Sequence, residues 1–485
     1  MNHPPIDYSR KWYVMIAVSL GVFLATIDGS IVNVALPTLV RELQTEFAIV
    51  QWVVLAYLLT LTTLMLSVGR LADMIGKKSI YMTGFVVFTL GSVLCGLAPT
   101  VYWLIGFRVM QAVGAAMVFA LGTAIVTEAF PPQERGKALG VVGSVVSIGI
   151  VIGPTLGGIL IEGFSWHWIF MVNLPVGIIG TILVWRFVPL TQPEGEQKFD
   201  YWGGITLFVA LISLLLALTL GQNWGFTDRR VLLLLGLSLI STLFFLGIER
   251  YTPQPMIELS LFQNRLLNIN LITGFLAFMS VAGALILVPF YLENMLGYGP
   301  QQVGFLLAAL PVMLGIVAPI SGVLSDRLGT RTITVVGLAV LMLGYYGLST
   351  MTIETTTLGF VLRYALIGLG FGIFQSPNNS AIMGSAPRER LGIVSGLLAV
   401  NRSLGQTTGI AILGAFWAAR VFFHQGATLS GGVTEASQLA QVAGLQDTFF
   451  AAALLMLLAL CLGMWGWIQA WRLGMLRGDA AASPH

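Results

Sequence analysis

Asp28 and Arg108 are charged residues set in long apolar sequence. Asp28 stands in ATIDGSIVNVALP and Arg108 in FRVMQAVGAAM, each inside an apolar run of about 20 residues, the length that crosses a bilayer as a helix. Glu128, Glu162, Glu249 and Glu293 fall at the ends of such runs, which leaves Asp28 as the carboxylate deep within one. At a rise of about 1.5 Å per residue, Asp28 lies roughly 12 Å and Arg108 roughly 9 Å from the outer ends of their runs, at similar depth. A central arginine costs about 2.5–3.5 kcal/mol on insertion scales and faces a partner or a wet cavity by default. Burial disfavours a carboxylate's charge and a nearby cation favours it, so such a pair can load and release a proton as its access to water changes. The same pair can also serve as a fixed stitch between two helices.

Other residues suit binding or shape change. Phe371, Phe374, Gln375, Asn378 and Asn379 of GLGFGIFQSPNNSA combine aromatic and amide groups in one run. With Asn33, Tyr57, Gln111, Phe275, Phe278 and Met279 they would line an apolar pocket with a few polar contacts, and each of them also suits ordinary packing. In GRLADMIGKK (Gly69 to Lys78), Gly69 and Gly76 allow a tight turn between two runs. Asp73 is placed there to face a neighbouring helix N-terminus, with Lys77 and Lys78 beside it. GVLSDRLGTR (Gly322 to Arg331) repeats the glycine, leucine, aspartate and glycine, with Asp326 and Arg327 in register. One copy reads as a charged loop; two copies read as a latch used twice. In GIVIGPTLGGIL, Gly149, Gly153 and Gly157 recur every four residues on one helical face, beside Pro154 and Gly158, and let another helix approach closely.

Enzymatic chemistry finds no support. There is no HExxH, Gly-x-Ser-x-Gly or cysteine cluster; Cys95 and Cys461 sit in apolar runs as packing residues, and His3, His167, His424 and His485 fall in loops or at the termini. These features imply no metal and no cofactor, and without a Gly-x-x-x-x-Gly-Lys-Ser/Thr string ATP is not the expected energy source. No soluble output domain marks a sensor.

The elements that must position these residues follow from composition. Of 485 residues, 56% are hydrophobic and 9% charged, too few charges for a soluble surface. In lipid the backbone must satisfy itself, and continuous apolar runs without period-two alternation select helices over a barrel: an all-α membrane protein. Fourteen runs are expected to span, the first of them uncleaved. If the termini are cytoplasmic, the outer loops hold only Arg41, Arg229, Arg230 and Arg420 of the 24 Lys and Arg, Arg108, Arg363 and Arg402 lie within spans, and the remainder fall inside. His424 to Gln446 is expected to be a flexible outer loop. A net charge of +3, scattered, points to no nucleic-acid partner.

An internal repeat divides the spans. Arg108 recurs as Arg363, Pro132-Gln133-Glu134-Arg135 as Pro387-Arg388-Glu389-Arg390, and the GRLADMIGKK loop as GVLSDRLGTR, all at nearly one offset. The expected organisation is a six-helix bundle in 1–188, two extra helices with linkers in 189–265, and a second six-helix bundle in 266–485. Parallel halves of this kind place a substrate site near the midplane.

Together these strings resemble the major facilitator superfamily. GRLADMIGKK resembles its signature loop and GIVIGPTLGGIL its antiporter signature. ATIDGSIVNVALP, QWVVLAYLL, WHWIFMVNLPVG and PMIELSLFQNR resemble hallmarks of its fourteen-helix drug:proton antiporter branch, the EmrB/QacA type. The resemblance covers almost the whole chain. It implies the major facilitator fold, with a proton-coupled antiporter that exports amphipathic or hydrophobic small molecules by alternating access. Asp28 is similar to the branch's first-helix acid and Arg108 with Gln111 to its Arg-x-x-Gln, with Ala112 where glycine is usual. In the family the aspartate of the signature loop, here Asp73, holds the halves together in one state and releases them in the other. The expected partners are the substrate, protons and the bilayer of the cell (inner) membrane. The expected form is a monomer, with room for an adaptor protein. Acids that some relatives carry in the penultimate helix are replaced by Asn401, Arg402 and Gln406, which argues against a strong preference for divalent cations. Export of a lipid or glycolipid by the same fold is the alternative, ahead of a membrane enzyme or sensor.

Overall fold

A computed structural model describes residues 10–131, 134–189, 201–225, 227–252, 262–385, 391–427, 429 and 432–472. The apolar runs form helices throughout, and the described residues contain no strand. First come α1 (Lys11–Glu42), α2 (Phe47–Val50), α3 (Trp52–Ile75), α4 (Lys77–Gly96), α5 (Val101–Ala129), α6 (Arg135–Gly163), α7 (Trp168–Met171) and α8 (Asn173–Phe187). The extra pair is α9 (Tyr201–Trp224) and α10 (Arg229–Tyr251). Then follow α11 (Arg265–Phe290), continued by a π-helix at Tyr291–Met295, α12 (Pro300–Leu307), α13 (Ala309–Leu328), α14 (Thr330–Leu348), α15 (Thr357–Gly384), α16 (Leu391–Gln425) and α17 (Gln438–Arg472). Among the described residues thirteen stretches are long and apolar enough to cross a membrane; at the seventh expected span, α9, the apolar stretch Trp202–Leu218 is shorter.

Local chemistry sets several helix starts. Asn264 accepts from the backbone N–H of Leu266 and Leu267 to begin α11, and Thr356 accepts from Gly359 N–H to begin α15. Asp228 caps α10 by accepting from Arg230 N–H at 2.8 Å; hydrogen bonding from the Arg230 side chain first, and this backbone bond second, hold its carboxyl below the usual carboxylate range.

The signature loops are less loop than expected. α3 runs through Gly69 and Asp73, and the chain turns only at Gly76, whose φ of 108° strains any residue with a Cβ. In the second copy the turn falls at the matching Gly329, with φ 87°. A single glycine costs a helix interior only about 1 kcal/mol, which Gly69 does not make decisive. The loop between α16 and α17 is also shorter and better anchored than expected. α17 starts at Gln438, Val433 and Ala436 are buried, and Gln441 donates to the carbonyls of Thr434 and Ala436.

By its contacts the described chain divides into two units. One takes in described residues of Met1–Thr45, Ile49–Phe208 and Gly299–Phe305, the other those of Glu46–Ala48, Val209–Tyr298 and Leu306–His485. Within the first, α1 packs on α5, α6 and α8, α3 on α5, and α4 on α5 and α8. Within the second, α11 packs on α15, α16 and α17, α13 on α15, and α14 on α15 and α17. Helix for helix these are the same adjacencies, so the repeat read in the loops is a repeat of packing. α9 and α10 meet where Ser238 Oγ donates to Ala210 O at 2.9 Å. Only 22% of the apolar window of α10 is buried, against 83% for α11, so α10 leaves most of its apolar surface uncovered while α11 lies inside its bundle.

Candidate functional site

The polar centre of the first unit is assembled by small residues. A Cβ at Gly149 would stand 3.1 Å from Thr26 Cβ, one at Gly153 would collide with Ser30 Oγ, and one at Gly157 would stand 2.7 Å from Ile31 Cγ1, so the glycine face of α6 brings α1 close on both sides of Asp28. A Cβ at Gly91 of α4 would lie 2.7 Å from Gln111 Cα, so α4 and α5 also approach backbone to backbone. Gly158 and Pro154 fit the segment Gly299–Phe305 of the same unit: Gly304 lies against Pro154 O, and Glu162 Oε2 accepts from Gln301 N–H at 2.9 Å.

The result is a closed network around one carboxylate. Asp28 is 0% exposed and Arg108 1%. Arg108 Nη1 donates to Asp28 Oδ2 at 2.5 Å and to Gln111 Oε1 at 2.7 Å, and its Nε donates to Val53 O at 3.0 Å. Gln111 Nε2 donates to Asp28 Oδ1 at 2.7 Å, and Asn173 Nδ2 adds a longer contact to the same oxygen at 3.3 Å. Ser92 accepts from Gln111 and Asn173 and donates to Phe170 O. The guanidinium carbon lies 4.1 Å from the centre of the Tyr57 ring, a cation–π contact, and the Tyr57 hydroxyl donates to Ala25 O. Six helices thus contribute to one network around the ion pair: α1, α3, α4, α5, α7 and α8.

Sequence reasoning matched the depths of Asp28 and Arg108, and the structure brings them together. Gln111 and Tyr57, which the sequence also offers as pocket residues, take part in this network. Asn33 is partly exposed further along α1. Ser92, Asn173 and Cys95, whose thiol lies 3.6 Å from Gln111 Oε1, were missed. Short polar residues are common in membrane helices, and only the position of Asn173 inside WHWIFMVNLPVG hinted at a role.

The second unit departs from this plan. Arg363, the repeat of Arg108, donates to the carbonyls of Gly347 and Gly359 and meets no carboxylate among the described residues. Of the pocket residues, Phe278, Met279, Phe371, Phe374 and Asn378 are buried, and Phe275, Gln375 and Asn379 are partly exposed. Phe278 meets Phe371 edge-to-face at 5.2 Å, and Phe374 packs backbone-close against Gly337 of α14. In the latch, Lys77 pairs with Glu128, and Arg327 is exposed. The side chains of Asp73 and Asp326, the repeated Pro132-Gln133 and 387–390, and most of PMIELSLFQNR lie outside the described residues. Among the described residues no cluster of His, Cys, Asp and Glu could hold a metal ion.

A doubled bundle of apolar helices with a buried ion pair in one half defines a membrane transporter architecture, and the comparisons give it a family. The model of the Major Facilitator Superfamily matches residues 18–410, and the chain belongs to that superfamily. It is 35% identical over 417 residues to the riboflavin transporter RibZ of Clostridioides difficile, covering 86% of this chain and 90% of that protein. It is 32% identical to the multidrug transporter protein MdtP of Bacillus subtilis over 85% of this chain and 76% of that one. Its fold matches that of a bacterial homologue of the human lysosomal transporter Spinster, with a TM-score of 0.67 at 18% identity over 94% of this chain and 97% of that one. The chain is thus a multi-pass membrane protein with the major facilitator fold, in a family of transporters and not of enzymes.

Proposed function

We propose that this protein is a secondary antiporter that expels amphipathic or hydrophobic small molecules in exchange for protons, by alternating access across the cell membrane with both termini cytoplasmic. The observation that carries this reading is the fully buried Asp28, whose charge is met by a single cation, Arg108, and by amides of Gln111 and Asn173. A proton on Asp28 removes the charge that draws Arg108 toward α1. Gln111, which accepts from Arg108 and donates to Asp28, then loses one of two opposed partners. Loading and releasing the proton therefore changes how α1, α5 and α8 are tied, and a tie of this kind can be coupled to the side on which the cargo is open to water. Phe275, Gln375 and Asn379 supply partly exposed aromatic and amide contacts for the cargo. Asp73 serves as the latch, and the working form is a monomer. Relatives named multidrug transporters support export of varied cargo. The relative named a riboflavin transporter supports a second reading, a single metabolite as cargo.

Efflux from proteoliposomes with an imposed pH difference tests the coupling. The wild type is expected to concentrate a dye against its gradient, and Asp28→Asn to lose that while keeping downhill exchange of the same dye. Uphill movement by Asp28→Asn under the pH difference places the proton site elsewhere.

A further inference from the structure

Arg402 is a cation inside a membrane-spanning helix for which the ion-pair network has no use. It lies on α16 within the span Leu397–Gln425. Arg108 is sealed by an aspartate, an amide, a carbonyl and a ring, and Arg363 is spent on carbonyls. Arg402 has neither arrangement: its side chain is exposed, and among the described residues it makes no hydrogen bond or ion pair. Its recorded neighbour is an aromatic face, the Phe278 ring, whose centre is 5.6 Å from the guanidinium carbon. The described carboxylates of the second unit do not reach it. Glu46, Asp228, Glu249, Glu293, Glu354, Glu435 and Asp447 stand near helix ends or between helices; Asp228 is taken by Arg230, and Asp447 by Arg420 and His424 at 2.7 Å each. A charge so placed within a membrane helix needs water or an anion as its partner.

The surroundings of Arg402 have the other parts of a binding site. Phe278 is packed edge-to-face on Phe371, a rigid apolar wall beside the cation. One residue before Arg402, Asn401 donates to Leu271 O of α11 at 3.0 Å, and Asn378 of α15 donates to Asn270 O at 3.3 Å. Both amides converge over Gly274, where a Cβ would stand 3.1 and 3.3 Å from their nitrogens. Asn378 is 1% exposed, yet its Oδ1 has no hydrogen-bond partner. A buried acceptor left open costs stability unless a donor fills it for part of the cycle. A cation, an aromatic wall and an open amide acceptor thus sit on three adjoining helices of one unit.

We propose that this cluster selects the cargo. Arg402 holds the anionic group of an amphiphile, a carboxylate, sulfonate or phosphate, Phe278 and Phe371 take its apolar or aromatic body, and Asn378 accepts one N–H or O–H from it. The proposal deepens the export reading and rests on it for the word cargo, but its test is a binding measurement that needs no gradient. The full chain in detergent is titrated with 5-carboxyfluorescein, which is anionic, and with rhodamine 123, a cation on a related ring system, following fluorescence anisotropy. The wild type is expected to bind the anionic dye more tightly. Arg402→Gln is expected to weaken that binding about tenfold, the size of one charge-assisted hydrogen bond made in a wet site, with less than about a threefold change for rhodamine 123. Arg402→Lys should keep part of the affinity, since it keeps the charge and loses the fork. Retained rhodamine binding by Arg402→Gln shows that the variant is folded; if it is not, rising ionic strength must weaken carboxyfluorescein binding to the wild type more than rhodamine binding. The proposal is overturned by a wild type that prefers the cationic dye or binds neither, by equal changes for both dyes, or by salt that acts alike on both. Anion-selective binding without gradient-driven efflux of either dye would instead sink the export reading and leave the role of Arg402 standing.

Discussion

Replacing Arg108 by alanine strips Asp28 of its cation while leaving the carboxylate at 0% exposure. The amides of Gln111 and Asn173 still reach Oδ1, but Oδ2 loses its partner. Breaking a buried pair from one side costs about 3–5 kcal/mol, because the remaining charge has been desolvated for nothing. Asp28→Asn is gentler. Arg108 keeps the Val53 carbonyl, the Gln111 amide and the Tyr57 ring, and the new amide can still accept a hydrogen bond, so a loss of about 1–3 kcal/mol is expected. Were the residues independent, the double variant would lose about 4–8 kcal/mol. The geometry demands otherwise: with both charges gone nothing ionised remains buried there, and the double variant should be no less stable than Arg108→Ala alone. Unfolding titrations of the four proteins in one mixed-micelle system, read by tryptophan fluorescence, measure the cycle. Losses that add within about 0.5 kcal/mol would mean that the two side chains do not interact in the protein, and the site as drawn would be wrong.

Three further outcomes are expected. Gly153→Ala forces a Cβ into Ser30 Oγ and should lower stability by about 1–3 kcal/mol with a loss of transport, both partly restored by adding Ser30→Gly; an unchanged melting temperature would refute the close approach of α1 and α6. A cysteine at Ser437, exposed between the last two spans, should react with an impermeant maleimide only from outside intact cells; labelling only from the cytoplasmic side would reverse the orientation. Asp73→Asn should slow transport while dye binding in detergent survives, and equal loss of both would point to misfolding and not to a failed latch.

The helices were readable because their cause is additive. Run length, the absence of charge and the sidedness of Lys and Arg each sum over many residues, so α1 begins at Lys11 and α11 at Arg265, close to where the runs begin. The pairing of Asp28 with Arg108 was readable for a related reason: a helix has a fixed rise, and counting residues gives depth. What sequence could not supply was azimuth. Tyr57 is legible as an aromatic residue in α3 but not as the ring under the Arg108 guanidinium; Ser92 carries no signal that distinguishes a network member from a packing residue, and Asn173 only its place in WHWIFMVNLPVG. The turn at Gly76 was found in the right string but placed too broadly, since only a positive φ separates it from the helical Gly69. The outer loop was read as flexible from its composition, yet one buried amide, Gln441, ties its backbone at two carbonyls.

The two halves share their packing and divide their chemistry. Arg108 and Arg363 occupy equivalent places on α5 and α15, helices with matching neighbours. The stretch of α11 that corresponds to Asp28 reads Val281-Ala282-Gly283 and offers no carboxylate. Without an acid opposite, Arg363 turns to the carbonyls of Gly347 and Gly359 and becomes a brace for the ends of α14 and α15. Conversely, the face of α16 that carries Arg402 corresponds to a stretch of α6 that carries no cation: it holds Ser147, which is exposed, and Gly149, which packs against Thr26 of α1. Duplication explains why the bundle forms twice with the same adjacencies. It does not explain an acid sealed in one half and a cation left open in the other. That asymmetry is where a proton and a cargo can be told apart: an ion pair sealed from solvent can respond only to a particle small enough to enter it, whereas an exposed arginine beside an aromatic wall can meet something larger.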